Sequence, residues 1–87
     1  MRPVSLTLYG RAWCHLCEDM RLQVDALRRE FDFELTIVDV DDDEALAEKF
    51  DLIVPILLDG NVELCRSFYD DDAVRRHLSA RGSAKRT

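Results

Sequence analysis

Apolar and polar residues alternate near the start of the chain: Val4, Leu6 and Leu8 interleave with Ser5, Thr7 and Tyr9. A period of two belongs to a strand with one buried face, so Val4 to Tyr9 reads as a first strand, broken by Gly10. The period then changes. Cys17, Met20, Val24, Leu27 and Phe31 recur at spacings of three and four, while Glu18, Asp19, Arg21, Asp25, Arg28 and Arg29 lie mostly off that stripe. This predicts an amphipathic helix, entered through the turn from Arg11 to Cys14 and carried to Phe31. Phe33 to Val40 is rich in β-branched and aromatic residues and predicts a second strand. Strand, helix and strand with short joints make a βαβ unit, whose strands run parallel with a right-handed crossover.

Further along, Asp41 to Glu44 reads as the cap of a brief helix that turns Leu46 and Phe50 inward. Ile53-Val54-Pro55-Ile56-Leu57-Leu58 predicts a third strand, and Asp59-Gly60 a hairpin into Val62-Glu63-Leu64-Cys65. Asp70, Asp71 and Asp72 suit the start of a last helix, with Val74 and Leu78 facing the core and Arg75, Arg76 and His77 toward its negative pole. The order is β-α-β-α-β-β-α, an α/β chain with a four-stranded mixed sheet and three helices, the first and last on one face. Residues 1–80 read as a single domain. Arg81, Lys85 and Arg86, around Gly82 and Ser83, predict a flexible basic tail over residues 81–87.

Composition narrows the class of protein. With 87 residues, 47% hydrophobic and 34% charged, the chain has room for one small core in an ordinary globular balance. No apolar run approaches the roughly 20 residues needed to span a bilayer, and Met1-Arg2-Pro3-Val4 does not open a secretory signal. A cytoplasmic monomer with no membrane partner is the expectation. A formal net charge of -6 argues against nucleic acid, whose phosphates call for clustered Lys and Arg. Three cysteines are an odd number and too few for a disulfide framework.

Cys14-His15-Leu16-Cys17 is the pattern that carries chemistry. Two thiols at i and i+3 on the first turn of a helix share a face and reach each other as a disulfide. The helix N-terminus offers unpaired N–H groups and a partial positive charge, which favour thiolate over thiol. His15 and Arg11 are candidates to add to that effect, and both equally suit solvated positions. Zinc is the rival use of such a pair, but a structural site needs four ligands, and only Cys65, His15 and His77 remain as soft donors. The acidic residues Asp39, Asp41, Asp42, Asp43 and Glu44 lack the glycine and distal glutamate of a calcium loop, so no metal is expected. Cys65 reads as a packed residue at a strand end.

The segment from Leu6 to Cys17, with Val54-Pro55 entering a strand and Leu57-Leu58-Asp59-Gly60 after it, resembles the glutaredoxin-like proteins of the thioredoxin-fold superfamily. The resemblance runs over about residues 4–80. It implies a thiol–disulfide oxidoreductase in which Cys14 is the nucleophile, Cys17 the resolving thiol and Pro55 a cis-proline beside the pair. It implies a substrate groove bordered by Tyr9, Arg11, Trp13 and His15, with the backbone of Val54 offered to a bound peptide or to glutathione. Asp70 or Asp71 would receive the γ-glutamyl amine of glutathione, a candidate co-substrate that is not tightly bound. Protein or glutathione disulfides would be the partners. A binding module that has lost redox turnover, or a glutathione-dependent iron–sulfur cluster carrier, are the alternatives within the same superfamily. Two departures stand out: Cys-His-Leu-Cys replaces the usual Cys-Pro-Tyr-Cys, and Cys65-Arg66-Ser67-Phe68-Tyr69-Asp70-Asp71 has no glycine where the family carries Gly-Gly-x-Asp-Asp.

Overall fold

The computed structural model describes residues 3–85. Strand β1 (Val4–Gly10) is followed by helix α1 (His15–Ala26), strand β2 (Phe33–Asp39), helix α2 (Glu44–Phe50), strands β3 (Ile56–Asp59) and β4 (Val62–Arg66), and helix α3 (Asp71–Ala80). The sheet order is β2-β1-β3-β4. β1 and β2 run parallel, in register from Val4 opposite Phe33 to Gly10 opposite Asp39. β3 is antiparallel to β1 and to β4, placing Tyr9 opposite Ile56 and Asp59 opposite Val62.

The alternation of β1 sorts the molecule into two apolar layers. Val4, Leu6 and Leu8 are buried with Met20 and Val24 of α1 and Val74 and Leu78 of α3, so those two helices cover one face. Tyr9 points the other way and stacks on Phe50 of α2, ring centroids 4.5 Å apart. Val40, Ile56 and Leu46 complete that smaller layer.

Several boundaries differ from the sequence reading, each for a local reason. The first helix gives way after Ala26 to a 3-10 turn at Leu27–Arg29, so Phe31 lies outside it. Phe31 is nonetheless buried, because an extended residue after the turn still faces the core; periodicity alone does not separate these cases. β2 ends one residue early: the Asp39 carboxylate accepts a hydrogen bond from the Asp41 N–H at 2.9 Å and turns Val40 out of the ladder. β3 begins only at Ile56. Pro55 has no N–H to give a ladder, and Ile53 still bonds back to the Phe50 carbonyl. The Val54–Pro55 peptide is cis. In the hairpin the loop is Gly60-Asn61, with Gly60 at φ 59°. Arg75 and Arg76 are not at the C-terminal pole of α3 but pair with Asp71 and Asp72 one turn back.

The largest correction concerns the expected tail. Gly82 adopts φ 72°, its N–H bonds the Ser79 carbonyl, and the Ser83 N–H bonds the Leu78 carbonyl. This paired arrangement closes the helix and reverses the chain. Ser83 is then 6% exposed, Ala84 bridges Phe31, and the Asp32 and Lys85 N–H groups bond the carbonyls of Ser83 and Glu30. Residues 81–85 are therefore docked on the domain, filling backbone bonds that the α1–β2 turn lacks. Arg86 lies outside the described residues.

Candidate functional site

β1 delivers the chain to Gly10, from which the turn Arg11–Trp13 leads to Cys14, the residue that caps α1. A side chain is not tolerated easily at Gly10: a Cβ there would stand 3.1 Å from Cys17 Cβ and 3.2 Å from Cys17 Sγ. Trp13 takes the left-handed conformation (φ 61°), uncommon for a residue with a side chain, and its indole is fully exposed.

Cys14 occupies the position where Ser, Thr, Asp or Asn usually satisfies a free helix N–H. Its Sγ does the same work, accepting from the Cys17 N–H at 3.2 Å. Cys14 and Cys17 are joined as a disulfide across a Cα–Cα distance of 5.2 Å. Cys14 is half-buried and Cys17, on the inner stripe of α1, is 8% exposed. The outer sulfur is therefore the one a second molecule can reach.

A groove of about 450 Å³ opens beside the disulfide, between α1 and β2. Trp13, Cys14 and His15 form one wall, Glu18 and Arg21 of α1 another, and Ile37 and Asp39 of β2 the facing side. Glu18 and Arg21 are hydrogen-bonded to each other, which holds the carboxyl below its ordinary range and the guanidinium above its own. Arg11 also lines the groove, but its guanidinium is directed away from the sulfurs, onto Asp51 and Asp41 at 3.1 Å each. The hydrogen bond it donates to Asp51 leads in raising its pKa further.

Arg11, Trp13 and His15 thus gather at the pair, whereas the other expected groove residues do not line this opening. Tyr9 is committed to Phe50 on the opposite face. Val54 packs in the smaller apolar layer and Pro55 is buried. Both precede Ile56, whose partner is Tyr9, so they sit at the same end of the sheet as the disulfide, on the β3 flank of β1. Asp70 and Asp71 serve their own helix. Asp70 accepts from the Ala73 N–H at 3.0 Å, and Asp71 accepts from the Tyr69 hydroxyl at 2.9 Å and from Arg75 at 2.8 Å. Burial and the Asp71 carboxylate hold the Tyr69 phenol well above its ordinary range. In the segment without glycine, Ser67 takes the left-handed conformation itself (φ 64°).

Ile37, Glu18, Arg21 and Asp39 also line the groove, and no local sequence pattern marks them. Parallel register places Ile37 beside Leu8 on the α1 face, a signal that needed the pairing of β1 with β2 to be read. Cys65 lies under α1 with its Sγ 4.0 Å from the Met20 sulfur, and burial pushes its thiol up. Among the described residues no group of three or more His, Cys, Asp or Glu is placed to hold a metal ion.

A family model described as "Glutaredoxin-like domain (DUF836)" matches residues 5–79. Protein Ne2328 of Nitrosomonas europaea is 35% identical, with 90% of this chain and 94% of that one aligned at a TM-score of 0.76. Protein XcR50 of X. campestris is 36% identical over 86% of this chain and 96% of its own, TM-score 0.67. A mutant thioredoxin of Halobacterium salinarum, 22% identical, superposes over 99% of this chain and 79% of its own with a TM-score of 0.64, a likeness of fold. No curated protein matches the chain in sequence.

Proposed function

The chain belongs to the glutaredoxin-like family within the thioredoxin superfamily, and from that premise we propose that it is a thiol–disulfide oxidoreductase working through Cys14 and Cys17. The observation that carries this is the half-buried Cys14 sulfur at the start of α1, bonded to a helix N–H and within disulfide reach of Cys17. A Cys14 thiolate in the reduced protein keeps that N–H and the positive end of the helix as partners, both of which favour the anion.

The reaction is a pair of exchanges. The Cys14 thiolate attacks one sulfur of a client disulfide, the client S–S bond breaks, and the departing thiolate takes a proton from water. Cys17 then loses its proton and attacks Cys14 Sγ, forming the Cys14–Cys17 disulfide and releasing the second client thiol. The client gains two electrons and two protons, and the pair loses them. A thiol donor such as glutathione resets the couple. Among the described residues no helix is long and apolar enough to cross a membrane; the cytoplasm, where thiols are kept reduced, is the compartment we infer.

Reduction of hydroxyethyl disulfide by the wild type, Cys14→Ser and Cys17→Ser tests the assignment. Cys14→Ser is expected to abolish turnover, and Cys17→Ser to trap a mixed disulfide on Cys14 that mass spectrometry detects. Wild-type turnover by Cys14→Ser would overturn the proposal.

A further inference from the structure

We propose that the groove between α1 and β2 selects protein disulfides that carry a large apolar side chain beside the reacting half-cystine, in preference to glutathione disulfide. This rests on the oxidoreductase reading and names its client. The groove is continuous with the reacting sulfur, since Cys14 is part of its wall, and its volume of about 450 Å³ falls in the range of sites that take a substantial group. Leu8 lies at its floor, Trp13 and Ile37 at its rim. Ile37 is 51% exposed and Trp13 wholly so. Apolar surface of that kind gains from being covered.

Charge decides against an anionic client. Arg11 is held by Asp41 and Asp51, and Arg21 by Glu18, so both cations at the groove already face carboxylates. Asp39 adds another carboxylate to the lining. Glutathione disulfide, rich in carboxylates, meets no unpaired Arg or Lys among the described groove residues, and the chain's net charge of -6 repels it at longer range. A leucine or phenylalanine side chain meets neither obstacle. The site is also displaced from Pro55: the groove lies on the β2 flank of β1, and Pro55 on the β3 flank.

The test uses the reduced full-length protein and a set of disulfide peptides identical except for Leu, Gly or Glu beside the reacting cysteine. The Leu peptide is expected to exceed the Gly peptide in kcat/KM by about tenfold, the low end for one apolar group in a partly open pocket, with the Glu peptide slowest. Ile37→Glu, at an exposed edge-strand position, is expected to erase the Leu-over-Gly ratio. Val62→Glu, exposed on β4, is expected to keep it, with circular dichroism reporting the fold of each. Equal rates for the Leu and Gly peptides in the wild type, or a ratio that survives in folded Ile37→Glu, would overturn the inference while leaving the oxidoreductase reading intact. Failure to reduce any disulfide, hydroxyethyl disulfide included, overturns both.

Discussion

Replacing Gly10 by alanine separates the oxidised from the reduced protein. The added Cβ would sit 3.1 Å from Cys17 Cβ and 3.2 Å from Cys17 Sγ, inside the roughly 3.5–4.0 Å of an unstrained carbon contact. Crowding a packed core by one carbon costs about 1–3 kcal/mol, while removing a glycine from the unfolded chain returns about 0.4–1 kcal/mol. In the oxidised protein the Cys17 sulfur is tied to Cys14 and cannot rotate away, so a net loss of about 1–2 kcal/mol is predicted. In the reduced protein the thiol can turn about its own bond, and the loss falls by about 1 kcal/mol. That difference corresponds to about 20 mV for a two-electron couple, in the direction of easier reduction. Urea melts of both forms and equilibration against glutathione buffers of known poise measure the two quantities independently. If Gly10→Ala shifted both melts equally and left the potential unchanged, the claim that the new carbon presses on the Cys17 sulfur would be wrong.

Two further outcomes follow from burial. Leu78, 0% exposed on the inner face of α3, is predicted to lose about 2–5 kcal/mol as Leu78→Ala, lowering the Tm by about 10 °C or more in a domain of this size; an unchanged melt would mean that α3 does not close the core. Burial raises the Cys65 thiol above its ordinary 9.0, so the unfolded chain releases that proton first. Its stabilising effect is whole below pH 9 and is lost as pH climbs through the folded value. Urea midpoints of the oxidised protein between about pH 8 and 11 should therefore fall less steeply for Cys65→Val than for the wild type. Parallel curves for the two would refute the burial argument.

What the sequence made legible was whatever depends on local pattern. The alternation of Val4, Leu6 and Leu8, the Asp70 cap and the Cys14–Cys17 spacing each need only a few neighbouring residues to be read, and all are found in place. The groove was not legible, because Ile37 meets Trp13 and Arg21 only through the pairing of β1 with β2. Nor was Arg11 as an ion-pair centre, since Asp41 and Asp51 lie far along the chain. Gly82 and Ser83 look like the composition of a loose end; they close α3 through local bonds to Ser79 and Leu78, but the bond between Ser83 and Asp32 that docks the segment is a long-range contact that composition does not encode.

The docked C-terminal segment fixes where anything attached to this domain must stand. Ala84 bridges Phe31, two residues before Phe33, which pairs with Val4 at the start of β1, whereas the disulfide follows the far end of that strand. Six residue steps along β1, about 20 Å, separate the two ends of the sheet. A reporter or second protein joined after Lys85 would be anchored at the remote pole, leaving Cys14 open to clients. A fusion through the Gly60-Asn61 turn would also sit at that pole, since Asp59 pairs with Leu6 near the start of β1. Tethered pairs of these domains can thus be built with both disulfides facing outward, and their spacing set by the linker alone.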